Sequence, residues 1–374
     1  MASSNNSKII SIAHPHTIKK FRLIEEYIKT WADILLLSAK CNGVIFIDCM
    51  CNSGIYKDDD GETVYGTPIR VSNVLLEAAR KYPDKQIHIY LNDNNAKKIE
   101  LLSKHLPANE RNFQIITTIL DGNELLKVIG PQLYGPNHMH YFLLYDPYDA
   151  SIDWNALTPF FRTWGEVLIN HMVSDSIRAI SQVTREQAKQ KYAGTYQVDN
   201  ISDLIPYGKN REAYEKRVLE IINGLKGSVQ RQYYISAFPF FNSRNSLLYD
   251  LVHCTGHIRG FKLFKSTAWK TFDGYSSSKK THDIEGQMTL DFLDETCSYI
   301  EADETRYTLK DAAQYLQRNF CGRSDVSKQE VWQFLDQHPV FISEGFTRAI
   351  CDNLKTYYDA KISRSTISFS DRRG

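Results

Sequence analysis

The sequence predicts an α/β protein built on a mostly parallel, doubly wound sheet. Through the first 173 residues, short β-branched and aromatic runs alternate with segments of helical periodicity. The run VIFI at 44–47 is apolar at every position, as expected for a strand buried on both faces of a parallel sheet. Two further strand patterns, at 231–241 and 246–257, flank the turn-rich NSRN and predict an antiparallel hairpin that closes the sheet.

The elements before the hairpin follow from the spacing of apolar residues. Residues 16–37 have apolar side chains every three or four positions, which predicts an amphipathic helix before the first strand. Residues 67–81 predict a helix with Thr67 as its N-cap and Pro68 at its first position. The other predicted elements are strands at 87–93, 113–121, 141–148 and 166–172, and helices at 96–105 and near Leu125.

The chain divides into four segments at the points where the alternation of strand and helix patterns changes. Residues 1–173 form the first part of a Rossmann-like core, and 174–230, where strands give way to polar helical patterns, form a helical insertion. Residues 231–304 contain the closing hairpin and a linker. Residues 305–374 predict three helices followed by the strand-like STISFS, the pattern of a small winged-helix-like domain.

Composition limits the class of protein. With 374 residues, 42% of them apolar, the chain is long enough for a large core and a smaller second unit. A formal net charge of +1 argues against a general nucleic-acid binder, although a local patch can still contact phosphate. Seven scattered cysteines fit reduced thiols, and no apolar run approaches the roughly 20 residues that span a bilayer. Because a secretory signal pattern is also missing, we expect a cytoplasmic protein without a membrane partner.

Three carboxylates stand at or just after predicted strand ends: Asp48, Asp93 and Asp121. The carboxyl ends of parallel strands meet at one edge of a sheet, where open α/β sheets bind ligands. After Asp48, the residues Asn52, Ser53 and Gly54 are expected to tolerate left-handed backbone angles and to leave room for a ligand to approach the main chain. A parallel sheet that ends in an antiparallel hairpin is the outline of a class I methyltransferase. There, the three acids suit the amino-acid, ribose and adenine ends of S-adenosylmethionine; the alternative for each is an ordinary turn or N-cap aspartate.

The predicted fourth strand ends in YDPYD, residues 145–149. This segment resembles the Asp-Pro-Pro-Tyr motif of amino-group methyltransferases, with one proline missing. In that motif the Asp side chain and a Pro carbonyl accept hydrogen bonds from an exocyclic amine, and the aromatic ring stacks on the base. The resemblance implies that Asp146, Pro147 and Tyr148 are catalytic residues. The alternative is a strand-to-turn Asp-Pro with a packed tyrosine.

Five stretches of the sequence together resemble one family: FIDCMCNSG, YGTP, DPYDASIDWNAL, LINH and LYDLVHCTGHIRGFKLFKSTAWK. Over most of its length the chain is similar to the three-Cys-motif partner proteins, TcmP. Their pattern runs approximately Asp-x-Phe-Ala-Gly-x-Gly, Gly-Ser-Pro and Asp-Pro-Tyr-Gly. The sequence departs from it at Asn52, Thr67 and Asp149, where the family has Gly, Ser and Gly, and Asn92 lies near its second-strand Glu. The resemblance implies a methyltransferase-like fold and a partner of the radical-SAM type that carries a three-cysteine iron–sulfur motif.

The resemblance also implies a cofactor site for S-adenosylmethionine in the loop after the first strand and at the start of the helix near Gly66. A metal is not predicted, because Cys49 and Cys51 are too close in sequence and lack a second ligand pair at recognisable spacing. The predicted cofactor-binding residues are Asp48, Cys49, Asn52, Ser53, Gly54, Thr67, Pro68, Asp93 and Asp121.

Two functions are compatible with these patterns. The leading interpretation is an S-adenosylmethionine-dependent methyltransferase that acts on an amino group of a nucleic-acid base. The alternative is a non-catalytic scaffold of the same fold that recruits a partner protein or nucleic acid. An NAD enzyme is disfavoured, because the G-x-G-x-x-G fingerprint is absent after the first strand. The basic run at 259–270 either contacts nucleic acid or forms the solvated face of an amphipathic helix.

Overall fold

The computed structural model describes residues 9–130, 133, 139–161, 165–174, 186–204, 212–228, 232–279 and 306–371. Parts of the predicted insertion and most of the predicted linker lie outside these residues. The strands of the core are β1 Ser11–Ile12, β2 Gly43–Asp48, β3 Ile55–Lys57, β4 Thr63–Tyr65, β5 Gln86–Asn92, β6 Phe113–Thr118, β7 Met139–Tyr145, β8 Gly165–His171, β9 Tyr234–Phe241 and β10 Leu247–Thr255. Its helices are α1 Pro15–Leu36, α2 Thr67–Lys81, α3 Ala96–Ser103, α4 Gly122–Ile129, α5 Trp154–Leu157, α6 Glu186–Tyr196, α7 Glu212–Leu225 and α8 Ile258–Thr271.

Seven strands form the central sheet, in the order β6-β5-β2-β7-β8-β10-β9. Neighbouring strands from β6 through β8 are parallel, whereas β10 is antiparallel to both β8 and β9. The predicted hairpin therefore places its second strand inside the sheet and its first strand at the edge. This confirms a mostly parallel α/β sheet that ends in an antiparallel hairpin.

Both faces of the sheet are covered by helices, which explains why β2 is apolar throughout. All six residues of β2 are buried. Val44 and Phe46 join a core formed with α1, α2, α3 and α8, whereas Ile45 and Ile47 join a second core formed with α4 to α7. Successive strand side chains point to opposite faces, so a central strand between two helical layers has to be apolar at every position.

Local expectations differ from the structure at the N-cap of α2 and at a strand end, whereas the basic run agrees with one of its two interpretations. The N-cap of α2 is Gly66 and makes no side-chain cap hydrogen bond, so the prediction that Thr67 is the N-cap is wrong. The strand predicted at 113–121 ends at Thr118, because the next residues lead into the N-cap of α4. The basic run at 259–270 is part of the amphipathic helix α8.

A small sheet that the sequence did not predict lies beside the bend after β2. Strand β1 pairs with β3 in parallel, and β3 pairs with β4 in antiparallel fashion. The backbone N–H of Gly66 donates to the Gly54 carbonyl oxygen at 2.8 Å. These bonds join the end of the bend to the start of α2 and fix the loop between them.

The C-terminal unit consists of three helices and a three-stranded antiparallel sheet. Its elements are α9 Leu309–Phe320, β11 Val326–Ser327, α10 Lys328–Gln337, α11 Thr347–Tyr358, β12 Lys361–Ile362 and β13 Thr366–Ser368, with strand order β11-β13-β12. Helix α9 begins with a capping box between Thr308 and Asp311. The unit packs on α8, and apolar residues of both belong to one continuous cluster. Its independent folding stays a prediction.

Across the described residues, no helix has both the length and the apolar character needed to cross a bilayer.

Candidate functional site

The bend after β2 is built by residues that accept left-handed backbone angles. Asn52 has φ of 59° and Gly54 has φ of 68°. A Cβ atom at Gly54 would lie 2.6 Å from Leu102 Cδ1 and 3.1 Å from Ile69 Cγ1, so the bend packs tightly against α2 and α3. Glycine is therefore required at position 54 for both its conformation and its size.

Asp48, the last residue of β2, is a buried carboxyl group at the base of this bend. It is 2% exposed, and its Oδ1 accepts a hydrogen bond from the Met50 N–H at 3.3 Å. Burial, together with the nearby charges of Asp146 and Asp93, raises the pKa of Asp48 to about 8. At neutral pH this carboxyl group holds a proton. A cation bound close to Asp48 would lower this pKa and favour the ionised form of the carboxyl group.

Asp146 lies just after β7 and is held by two side chains that the sequence interpretation missed. The Lys20 ammonium contacts Asp146 Oδ2 at 2.7 Å, and Asn170 Nδ2 donates to Asp146 Oδ1 at 2.5 Å. Lys20 is 8% exposed and Asn170 is 2% exposed. The Lys20 ammonium also lies 5.2 Å from the centre of the Tyr249 ring. Both Asp146 oxygens thus already accept hydrogen bonds.

Tyr148 lies over Asp93 rather than over an empty pocket. Its hydroxyl group donates to Asp93 Oδ2, and Lys98 Nζ donates to the Tyr148 oxygen at 2.9 Å. The other Asp93 oxygen, Oδ1, accepts from the Asn95 N–H at 2.9 Å. Asp93 is 1% exposed, whereas Tyr148 is 53% exposed. The tyrosine therefore covers the carboxylate that was predicted to bind ribose.

Asn92 connects three strand ends next to this carboxylate. Its Nδ2 donates to the carbonyl oxygens of Cys49 and Leu120, both at 2.9 Å. Its Oδ1 accepts from Thr118 Oγ1 at 2.7 Å and from the Leu120 N–H at 3.0 Å. Every polar atom of the side chain is used to hold the ends of β2, β5 and β6 together.

The remaining predicted cofactor residues make contacts within the fold. Asp121 is exposed and caps α4 by accepting from the N–H groups of Asn123 and Glu124, which is the structural alternative for a strand-end aspartate. The Ser53 hydroxyl group is buried and donates to the Ile55 carbonyl oxygen at 3.1 Å. Thr67 and Pro68 are buried in the first turn of α2. Their roles in cofactor binding stay predictions.

The cysteines after β2 are buried thiols. Cys49 Sγ donates to the Leu144 carbonyl oxygen at 3.5 Å, and Cys51 Sγ donates to the Asn52 carbonyl oxygen at 3.4 Å. Burial raises the pKa of the Cys49 thiol well above its usual value. Over the described part of the chain, no group of three or more His, Cys, Asp or Glu side chains is arranged to hold a metal ion.

No protein-family model matches the sequence, and no curated protein matches it. Several solved structures do. A Legionella pneumophila str. Philadelphia 1 protein of the DUF519 family shares 10% identity, with a TM-score of 0.39 over 68% of this chain and 92% of that one. The methyltransferase domain of bacterial CtHen1 shares 11% identity, with a TM-score of 0.31 over 62% of this chain and 99% of that one. Human methyltransferase-like protein 13, solved with SAH, shares 9% identity, with a TM-score of 0.31 over 74% of this chain and 98% of that one.

These likenesses are too distant to say anything about function. The strand order of the chain itself, with the antiparallel β10 between β8 and β9, identifies the fold. The chain has a class I methyltransferase fold. In that fold, the carboxyl ends of β2, β5 and β7 lie at one edge of the sheet, where the structure brings together Asp48, Asp93 and Asp146.

Proposed function

We propose that the protein binds S-adenosylmethionine at the carboxyl edge of the sheet, beside Asp48. One observation carries this proposal: Asp48 is buried near Asp93 and Asp146, and its pKa is raised to about 8. S-adenosylmethionine carries a positive sulfonium and an ammonium group, so its binding beside Asp48 would favour the ionised form of this carboxyl group. The positive φ values of Asn52 and Gly54 bend the chain directly after Asp48, at the carboxyl edge where open α/β sheets bind ligands.

The residues present fit this cofactor with one rearrangement. Asp48 would receive the cationic amino-acid end of the cofactor, and Asp93 would accept from the ribose hydroxyl groups. Because Tyr148 now donates to Asp93, its ring has to move before ribose can bind. Tyr148 is half exposed, so this movement disrupts little of the packed core.

The proposed reaction is methyl transfer to an amino group of a nucleic-acid base. When bound, the cofactor supplies the methyl group. Asp146 would accept a hydrogen bond from the acceptor amine in the position where it now accepts from Lys20, and the carbonyl of Pro147 would accept a second. The displaced Tyr148 ring would then stack on the base. The nucleic-acid substrate and a partner of the radical-SAM type with a three-cysteine iron–sulfur motif rest on the resemblance to the TcmP family.

A second candidate is a non-catalytic scaffold that recruits this partner or nucleic acid. The observation that supports it is that the side chains of Asp146 and Tyr148 already make hydrogen bonds within the fold. Asp146 is bonded by Lys20 and Asn170, and Tyr148 is bonded to Asp93 and Lys98. A site whose polar groups are already hydrogen-bonded within the fold needs no substrate to be stable.

Two measurements on the same proteins separate these candidates. Calorimetric titration with SAH tests the cofactor site, and transfer of radiolabelled methyl to cellular RNA, DNA and protein, with and without the suspected partner, tests the chemistry. We expect Asp146→Ala to abolish labelling while leaving SAH affinity nearly unchanged, because its contact with the amine matters mainly on the way to the transition state.

The matched control is Asp149→Ala, because Asp149 is next in the motif but pairs with Lys191 at the surface. It should label like the wild type. If Asp146→Ala transfers methyl groups at the wild-type level, the YDPYD motif has a structural role and no catalytic one. SAH binding without labelling under any condition would favour the scaffold, and failure to bind SAH at millimolar concentration would refute the cofactor site.

A further inference from the structure

A buried carboxylate lies near the amino-terminal ends of the parallel strands, whereas the proposed cofactor site lies at their carboxyl ends. Glu166, the second residue of β8, is 9% exposed, and Tyr27 and His253 beside it are fully buried. Glu166 Oε2 accepts a hydrogen bond from the Tyr27 hydroxyl group and contacts His253 Nε2 at 2.7 Å. A charged group in a central strand is costly to bury unless its oxygens are paired. Here both contacts use the same oxygen.

The second oxygen, Glu166 Oε1, makes no hydrogen bond to any residue that the structure describes. Glu166 lines a cavity of about 280 Å³ between α1, the start of α8 and the amino-terminal ends of β7 and β8. Trp31, Leu35 and Leu263 form an apolar wall of this cavity. His140 and Thr255 also line the cavity, and the combination of an apolar wall with a few polar groups is typical of a small-molecule site.

The start of α8 is shaped around the same carboxylate. A Cβ atom at Gly260 would lie 2.5 Å from Glu166 Oε1, so a larger residue here would force the Glu166 carboxylate to shift. Gly260 lies in the first turn of α8, where the helix dipole favours a negative charge. One oxygen of the Glu166 carboxylate thus lies beside the first turn of α8, at the cavity that Glu166 lines.

The charge of the cavity decides which ligand it suits. His257 and Arg259 also line the cavity, but both are exposed, so water and salt screen their charges. The charge of Glu166 is screened much less, because the group is buried. The dominant field inside the cavity is therefore negative, which disfavours an anion and favours a cation.

We propose that this cavity binds a small amphipathic amine. Its ammonium group donates to Glu166 Oε1, and its apolar body packs against the wall of Trp31, Leu35 and Leu263. The site is separate from the proposed cofactor edge, since Glu166 and Asn170 are four residues apart on β8, roughly 13 Å along the strand. The proposal does not depend on methyl transfer.

The first test compares three probes of similar size with the wild-type protein: benzylamine, benzyl alcohol and benzoate, titrated at pH 7 and followed by ligand-observed NMR and calorimetry. We expect benzylamine to bind at least about tenfold more tightly than benzyl alcohol, because a hydrogen bond to a charged group is stronger than one between neutral groups. Benzoate should not bind. Equal affinities for benzylamine and benzyl alcohol, or tighter binding of benzoate, would overturn the proposal.

The second test uses a pair of glycine variants in the same cavity. Gly260→Ala puts a methyl group against Glu166 Oε1, whereas a Cβ atom at Gly256 meets nothing within 4 Å. Gly260→Ala and Glu166→Gln should each lose the preference for benzylamine, and Gly256→Ala should keep it. Wild-type affinity in a folded Gly260→Ala or Glu166→Gln variant, as judged by circular dichroism, would place the binding elsewhere. If both variants unfold, the proposal is judged by the comparison of the three probes on the wild-type protein.

Discussion

Replacement of Lys265 by Met tests how the C-terminal unit is held on the core. Lys265 lies on α8 and is fully buried. Its ammonium group donates to the backbone carbonyl oxygens of Asp336, His338 and Phe341, each at 2.7 Å. These three carbonyls belong to the end of α10 and the segment that follows it, so one side chain closes a turn of the C-terminal unit onto the core.

The expected cost follows from these three contacts. Met fills a similar volume but cannot donate, so Lys265→Met leaves three buried carbonyl oxygens without their partner. Each buried carbonyl oxygen left without a donor costs about 1–3 kcal/mol, and because the variant no longer buries an ammonium group, part of this is offset, which leaves about 3–5 kcal/mol in total. We therefore expect the free energy of unfolding, measured by urea titration with circular dichroism, to fall by about this amount. Limited proteolysis should also cut the C-terminal unit sooner.

Lys270→Met is the matched control, because Lys270 is an exposed residue of the same helix. It should change the free energy of unfolding by about 0.5 kcal/mol or less. If Lys265→Met and Lys270→Met unfold at the same urea concentration and with the same slope, the three carbonyl contacts do not hold the unit, and the reasoning is refuted.

Three further predictions concern the proposed cofactor edge. Asp48 has its pKa raised from 3.8 to about 8, so across this range it keeps a proton that the unfolded chain loses, and its contribution to stability falls as the pH rises from about 4 to about 8. Asp48→Asn should remove that slope in urea titrations at several pH values, and it should weaken SAH binding about tenfold at pH 8. Gly54→Ala should destabilise the fold by about 1–3 kcal/mol more than Gly61→Ala, since both glycines have positive φ but only a Cβ at Gly54 meets neighbours; equal urea midpoints would contradict the crowding. Tyr148→Phe should strengthen SAH binding in calorimetry, because its hydroxyl group no longer competes for Asp93; weaker binding would mean that Tyr148 supports the site.

Sequence reasoning found the acidic side of the proposed site but not the groups that pair with it. Asp48 was predicted because it ends an apolar strand, and Asp146 because YDPYD resembles the Asp-Pro-Pro-Tyr motif; both patterns are visible in a few neighbouring residues. Lys20 was missed, although it shares a face of α1 with the buried residues Ile24 and Tyr27, where a charged residue is unexpected. That signal marks Lys20 as unusual. It does not indicate which residue pairs with Lys20, because that residue lies 126 positions away in the chain.

The resemblance to the motif of amino-group methyltransferases also predicted residue types better than residue contacts. It drew attention to Asp146 and Tyr148, and both lie at the edge where the fold binds ligands. The contacts of Tyr148 with Asp93 and Lys98 depend on how the loop after β7 meets the loop after β5. A contact between two loops cannot be predicted from the sequence of either loop alone.

The sequence by itself determined the α/β fold class, most of the helices and strands, and the two-sided burial of β2, because these depend on periodicity within short windows. Tertiary structure decided the position of β10 between β8 and β9, the small sheet beside the bend, and the Lys20–Asp146 pair. It also decided the network of Glu166 with Tyr27 and His253. The physical reason is that these features join residues far apart in the chain, and whether a charge is paired, capped or open to a cavity depends on all the elements that surround it.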